Sequence, residues 1–594
     1  MATPLPGWLD VSPFPSHVMT AVPDVNAADK APPSTILATT QPVPSAFPTS
    51  STPGKRDQHQ REDNASDGAG FKPTRALVLA FTALAVLVLM VALDGTSISV
   101  ALPTIAQKLH GSALEAFWAE TSFLLASTVF QPLFASFSHI FGRMPLILVA
   151  MTLFLVGVLM AALAQDFELL LAGRTIQGIG GGGIIALSEI VVTDLVPLRV
   201  RGQWMGVLAG TWALGSVSGP VIGGAFAQVD AWRWIFWLNL PFIGVGYPMV
   251  LLFLKLNIVP ESIAEKLRRV DWVGSVVFVA STTSFLIPLT KGGVMYPWTH
   301  WRTLLPLVVG VAGLVGFVLY EKYVAEEPLF RLSVFGTRTA ALGYLESALH
   351  GILVWTILYY QPLYFLAVKE YSPVIAGVAL FPATLTVAPM SVITGFAITK
   401  ANAYRWAIWL GWALATLGFG LTTIIDVRTS VPAWVFICIV PGMGCGILFS
   451  ALQFQVQAPS TSEDMAFAVG TFVFFRTLGQ AVGVAIGGVT FQNSMIKKLR
   501  DFPRYADQAA ELAKDAAALV QVIRDTEEGA GKYNLQVVYT DSIRVVYIVL
   551  TALCGVGLMC SFFVKAYDIN VALDTDHGLI EKRKDIASSP GSQS

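Results

Sequence analysis

The sequence predicts an all-α polytopic membrane protein: two six-helix bundles plus two extra linking helices, fourteen transmembrane helices in all. Three observations predict it. From Ala76 onward, apolar stretches of about 20 residues follow one another, each long enough to cross roughly 30 Å of hydrocarbon. Hydrophobic residues make up 54% of the 594-residue chain and charged ones only 13%. That is about half the charged share of a soluble domain, too little polar surface to cover several soluble cores. Finally, one helical segment occurs twice. Gly206, Leu214, Gly215, Gly219, Ile222, Gly223, Gly224 and Gln228 return 264 positions later as Gly470, Leu478, Gly479, Gly483, Ile486, Gly487, Gly488 and Gln492. Glycines four apart leave a side-chain-free strip on one helix face, where a neighbouring backbone can approach closely inside a membrane. Such a helix repeated in distant halves marks an internally duplicated carrier.

Taken in order, residues 1 to about 72 are rich in Pro, Ser, Thr and Ala, then polar from Gly54 to Gly70. They read as a disordered cytosolic arm, 1–74. No basic start precedes an apolar core, so no cleaved secretory signal is expected. The sequon Asn64-Ala65-Ser66 would be glycosylated only outside the cytosol. Spans are placed at 76–102, 115–137, 144–164, 169–194, 203–226, 233–257, 272–290, 302–321, 340–366, 374–398, 404–424, 433–457, 465–491 and 541–565. Spans one to six form a first bundle, 75–257, and spans seven and eight lie in a linker, 258–339. The last six spans form a second bundle, 340–566, followed by a cytosolic tail, 567–594. The repeat maps span five onto span thirteen in the same orientation. Halves related by an axis along the membrane normal would then be separated by two extra spans. The long connection 492–540, expected outside the cytosol, carries an Ala-rich helical pattern from Ala509 to Ile523, read as a helix on the membrane surface or rim.

Orientation follows the positive charge. With the amino terminus cytosolic, the cytosolic loops receive Lys72, Arg75, Arg143, Arg199, Arg201, Lys266, Arg268, Arg269, Arg331, Arg338, Lys400 and Arg405. The opposite short loops receive few, such as Lys108, Lys291, Lys369 and Arg428, while Lys497, Lys498 and Arg500 sit in a long loop where the rule is weak. Both ends are expected inside, most naturally at the plasma membrane.

Other classes are disfavoured. A net charge of -1 gives no basic footprint for nucleic acid. Cys438, Cys445, Cys554 and Cys560 all lie in apolar runs and read as buried small side chains. No metal-ligand cluster or nucleophile elbow stands out, and Gly178-Ile179-Gly180 follows no strand, so it is no dinucleotide loop.

Several motifs carry a family resemblance. Span one ends in Leu93-Asp94-Gly95-Thr96-Ser97-Ile98-Ser99-Val100-Ala101-Leu102-Pro103, and span four holds Arg174-Thr175-Ile176-Gln177-Gly178-Ile179-Gly180. Span five holds Gly215-Ser216-Val217-Ser218-Gly219-Pro220-Val221-Ile222-Gly223-Gly224, and Trp232-Arg233-Trp234-Ile235-Phe236-Trp237-Leu238-Asn239-Leu240-Pro241 opens span six. Over about residues 75 to 580 the chain resembles the major facilitator superfamily. More narrowly, it is similar to the fourteen-span drug:proton antiporters, in the fungal branch that exports toxins and secondary metabolites. The resemblance implies a monomer in the bilayer that takes a small-molecule substrate and needs no cofactor beyond a proton gradient. Uptake of a nutrient or iron chelate, or a non-transporting sensor, are the rival readings.

One departure is instructive. The family's loop between spans two and three carries an acid and paired bases as a cytosolic charge latch. Here it reads Ala135-Ser136-Phe137-Ser138-His139-Ile140-Phe141-Gly142-Arg143-Met144, with His139 in place of the acid. Histidine supplies no negative charge in either protonation state, so either the latch is missing here or Arg143 holds it with another acid such as Asp194.

A charge at mid-bilayer costs at least ~2.5–3.5 kcal/mol, so each one asks for a role. Arg174 and Gln177 in span four could hold an anionic group or tune a nearby acid; the plain alternative is a tether between helices. Asp94 could couple protons or cap a broken helix. Glu346 and His350, four apart, share one helix face and could relay a proton or simply satisfy each other. Glu120 and Glu189 are further acids in apolar runs. Arg476 replaces Trp212 of the other repeat, as a substrate contact or a gate ion pair. Gly215, Gly219, Pro220, Gly223 and Gly224 are expected to pack and bend span five.

Overall fold

Apolar runs in hydrocarbon have no water to bond their backbone, so each closes its own hydrogen bonds as a helix. The computed structural model describes residues 71–570 apart from 112, 257–260, 293–295, 504 and 514–515, together with residue 578. Nearly all of the arm, its sequon and most of the tail lie outside the described residues. Fourteen long helices follow: α1 Arg75–Lys108, α2 Ala113–Phe141, α3 Arg143–Ala162, α4 Phe167–Leu195, α5 Leu198–Gln228, α6 Asn239–Phe253, α7 Trp272–Lys291, α8 Trp301–Tyr323, α9 Arg338–Ala367, α10 Phe381–Ala401, α11 Arg405–Thr422, α12 Val431–Gln457, α13 Met465–Leu499 and α14 Ala530–Ser561. Short helices Trp234–Trp237 and Pro373–Val378 lead into α6 and α10.

Local sequence explains several starts. Thr74, Asp166, Asp271 and Thr337 each accept the backbone N–H three residues on, capping α1, α4, α7 and α9. Among the described residues, 13 helices are long and apolar enough to cross a membrane. The other expected span, α11, falls short because Arg405 opens it and Trp406, Trp409 and Trp412 dilute its aliphatic content. It nevertheless packs between α12 and α14.

The long connection is shorter than expected. Helix α13 continues to Leu499 and α14 begins at Ala530, so the connecting stretch is 500–529 rather than 492–540. The ends of these helices are too polar to register as span: Lys498 of α13 pairs with Asp541 of α14 at 3.0 Å. The Ala-rich segment forms short helices Ala509–Leu512 and Ala516–Asp525. The second docks on the rim, with Leu519, Val520 and Ile523 buried and Arg524 Nε donating to the Leu366 carbonyl at the end of α9.

The repeated glycines set the packing. A Cβ on Gly223 would lie 1.9 Å from the Ser97 carbonyl oxygen, and Gly215 and Gly219 also abut α1. Their echoes abut α9, where a Cβ on Gly479 would lie 2.0 Å from the Ala348 oxygen. The same offset extends into α4 and α12, where Gly178, Gly180 and Gly182 return as Gly442, Gly444 and Gly446. Each half has its own apolar core: one drawn from Leu77 to Leu256, the other almost wholly from Val334 to Ile569. The halves meet along two seams, α2 with α13 and α5 with α10. The α7–α8 hairpin leans on the first seam, where Phe278 and Phe474 stack edge-on at 5.6 Å.

Candidate functional site: a cavity on the axis between the halves

Where the halves face each other they enclose a cavity. Its walls are largely apolar, with Val88, Leu208, Trp212, Val354, Leu358 and Phe449 among them. About 90 Å³ of it is open to the centre of a water molecule, below the roughly 300–1,000 Å³ of a drug-sized site. The halves must part to admit such a ligand.

One ion pair crosses this space. Arg476 of α13 donates through Nη2 to Glu189 Oε1 of α4 at 2.5 Å, and Gln453 Nε2 of α12 donates to Glu189 Oε2 at 3.3 Å. The guanidinium lies over the rings of Phe449 and Phe472, 4.7 and 5.2 Å from their centroids. Arg476 Nη1 and Gln453 Oε1 are buried without a hydrogen-bond partner. His350 also lines the cavity. Its Nε2 lies 3.0 Å from the Cys445 carbonyl, an acceptor only, so that nitrogen carries the proton.

A second polar cluster is sealed inside the first half. Asp94 receives Arg174 Nη1 at 2.6 Å on Oδ2, and Gln177 Nε2 at 2.8 Å and Asn239 Nδ2 at 2.9 Å on Oδ1. Arg174 also donates to the Ala119 carbonyl at 3.0 Å and lies 4.3 Å from the Phe123 ring centroid. Arg174 and Gln177 are 0% exposed and Asp94 1%. None of the three lines the cavity, so Arg174 is a tether among α1, α2 and α4 rather than a ligand for substrate in this conformation. Arg174 Nη2 and Glu120 Oε2 remain unpartnered.

A third cluster lies where α2 turns into α3. Gly142 adopts φ 95° ahead of α3, a backbone that glycine tolerates best. Arg143 Nε then reaches Asp194 Oδ2 at 3.0 Å and Nη1 reaches Ser138 Oγ at 3.1 Å. The acid absent at position 139 is thus supplied from α4. His139 instead faces Phe467 of α13, ring centroids 5.5 Å apart. At the same end Arg201 spans the halves: Nη1 donates to Gln457 Oε1 at 2.9 Å and contacts Met465 Sδ at 3.4 Å. The contacts of Arg201 and His139 join the two halves at the Gly142 end.

Comparison with known proteins fits this arrangement. The model of the Major Facilitator Superfamily matches residues 84–484. The chain belongs to that superfamily. "MFS transporter L2" of a Phoma species is 52% identical over 86% of this chain and 86% of its own length. "MFS-type efflux pump LUC4" of a Fusarium species is 37% identical, covering 92% and 98% respectively. "Efflux pump FUS6" of Gibberella moniliformis is 37% identical, covering 86% and 92%. The crystal structure of the human organic anion transporter MFSD10 (TETRAN) superposes with TM-score 0.50 at 16% identity, over 82% of this chain and 100% of that one; it shows the fold. The protein is accordingly an integral membrane transporter of the superfamily.

Within that fold, the expected site residues separate. His350 and Arg476 come together in the cavity, Asp94, Arg174 and Gln177 in the sealed cluster, and His139, Gly142, Arg143 and Asp194 at the latch. Glu346 and His350, read as either a proton relay or a mutually satisfied pair, have no direct hydrogen bond between them among the described contacts. Glu346 is 0% exposed, faces Gln455 and Trp412, and has both carboxyl oxygens without a partner at ordinary geometry. Of the span-five motif, Gly224 and Pro220 approach the Pro373–Gly377 turn before α10. The sequence reading did not single out Gln453, Gln457 or Asn239 as site residues, because an amide in an apolar run carries no spacing signal. Glu189 was signalled by its charge, but not its partner.

Proposed function

We propose that the protein is a secondary active exporter of amphipathic small organic molecules, such as a toxin or other secondary metabolite, working by alternating access and proton antiport. The observation that carries this is the greasy cavity on the axis between the halves, bridged by a single ion pair. A permissive apolar wall suits amphipathic solutes, and a bridge between the halves must break as they rock. The efflux pumps among its fungal relatives support the outward direction.

The proton is assigned to Asp94. Three donors from Arg174, Gln177 and Asn239 converge on its carboxyl; protonation would remove the charge that anchors Arg174 and free α1, α4 and α6 to repack. Inward proton movement supplies about 2.3 kcal/mol per 100 mV plus the pH term. The plasma membrane, cytosolic termini and a monomeric state complete the reading. Inverted vesicles containing the protein test it: an imposed pH gradient is expected to drive uptake of an amphipathic dye. Dye movement indifferent to the gradient overturns antiport, and no dye movement in either direction overturns transport.

A further inference from the structure

We propose that the cavity selects amphipathic carboxylates, with the acid group on Arg476 and the apolar body against the wall that carries Trp212. The proposal rests on the export reading and names its substrate class.

The repeat places Trp212 and Arg476 at equivalent positions, and both line the cavity. One half therefore offers an aromatic surface where the other offers a cation. Arg476 is the only Lys or Arg lining the cavity among the described residues. Its Nη1 is buried without an acceptor, while both oxygens of Glu189 already accept. The unmet demand is thus for an acceptor, and the charge on the donor favours an anionic one. Beside it, the unpartnered Gln453 Oε1 can accept from a hydroxyl near the acid group.

Alternating access sharpens the demand. Glu189 and Arg476 belong to different halves, so parting the halves to load a ligand separates them. A guanidinium left buried without its carboxylate is strongly unfavourable. A carboxylate arriving with the substrate takes the place Glu189 has left, bidentate on the planar fork, and keeps Arg476 paired when the halves close again.

The test uses the full-length protein in proteoliposomes and three probes of matched shape: 1-naphthylacetate, its methyl ester and 1-naphthylethylamine. The wild-type chain is expected to bind and exchange the acid at least about tenfold more tightly than the ester or the amine, as loss of one charge-assisted hydrogen bond predicts. Arg476→Gln removes that preference, and Arg476→Lys keeps part of it. Glu189→Gln removes the competing carboxylate and tightens the acid several-fold with the ester unchanged; a merely structural ion pair would instead weaken all three probes. Equal binding of acid and ester, preference for the amine, an undiminished preference in Arg476→Gln, or weaker acid binding in Glu189→Gln each overturn the proposal. If ester or amine is carried instead, export stands and the carboxylate assignment fails. If none of the probes is exchanged and no dye responds to a gradient, both fail.

Discussion

Glu189 and Gln453 occupy the same position in the two repeats, 264 residues apart, and hydrogen-bond to each other. Residues related by a two-fold rotation can touch only near the axis. Arg201 and Met465 are also 264 apart and also in contact. The two contacts mark the pseudo-axis, one at the cavity and one at the Gly142 end. Trp212 and Arg476 flank that axis with unlike chemistry, so the duplication is symmetric in packing and asymmetric in charge.

Breaking the cavity's ion pair from one side should be costly. Glu189→Ala leaves Arg476 uncompensated and is expected to destabilise by about 3–5 kcal/mol. Adding Arg476→Met should recover most of that loss. Thermal unfolding of the detergent-solubilised variants checks both, and a double variant no more stable than Glu189→Ala would contradict the pairing.

Arg201 acts at the other point on the axis. Arg201→Ala removes the hydrogen bond to Gln457 across the halves, worth about 0.5–1.5 kcal/mol, which moves a two-state equilibrium up to about tenfold. Spin labels at Gln203 and Lys400 should then show a larger population at long separation. An unchanged distance distribution would count against the clasp.

The glycine strip predicts a contrast. Gly223→Ala drives a methyl against the Ser97 carbonyl at 1.9 Å and should cost about 1–3 kcal/mol or more. Gly555→Ala in α14 meets nothing within 4 Å and should gain up to about 1 kcal/mol from helix propensity. Unfolding of the two variants side by side decides it; equal effects would deny α5 its close approach to α1.

Asp94 separates charge from shape. Asp94→Ala should destabilise by about 3–5 kcal/mol, because Arg174 loses its buried partner. Asp94→Asn preserves shape and should retain more stability, yet lose the response of dye transport to an imposed pH gradient. A full gradient response in Asp94→Asn would place the coupling proton elsewhere.

Much of this was legible because membrane helices advertise themselves by length, and because glycine spacing survives duplication. The departure at His139 left the latch either missing or held by Arg143 with another acid such as Asp194, and the structure has the second arrangement. Arg476 was exposed by the break in the echo at Trp212. The separation of Glu346 from His350 is equally physical. Residues four apart share a face but sit about 6 Å apart along the axis, and α9 borders two environments. His350 falls at the cavity, while Glu346 falls among α11 and α12. The extent of α13 and α14 was hidden because their outer turns are polar and pair with each other rather than with lipid.

The α7–α8 hairpin bears on how such a molecule moves. It braces the α2–α13 seam: Phe278 of α7, with Phe330 just beyond α8, lies against Phe474, and Phe317 of α8 backs both. Among the described residues the α5–α10 seam has no such buttress, and there two backbones run almost bare against each other, Gly395 over the Gly202 carbonyl. A rocker propped on one flank swings unevenly. The unbraced flank is where sideways gaps toward lipid should form first, so greasy solutes partitioned into the leaflet would meet the chamber from that side.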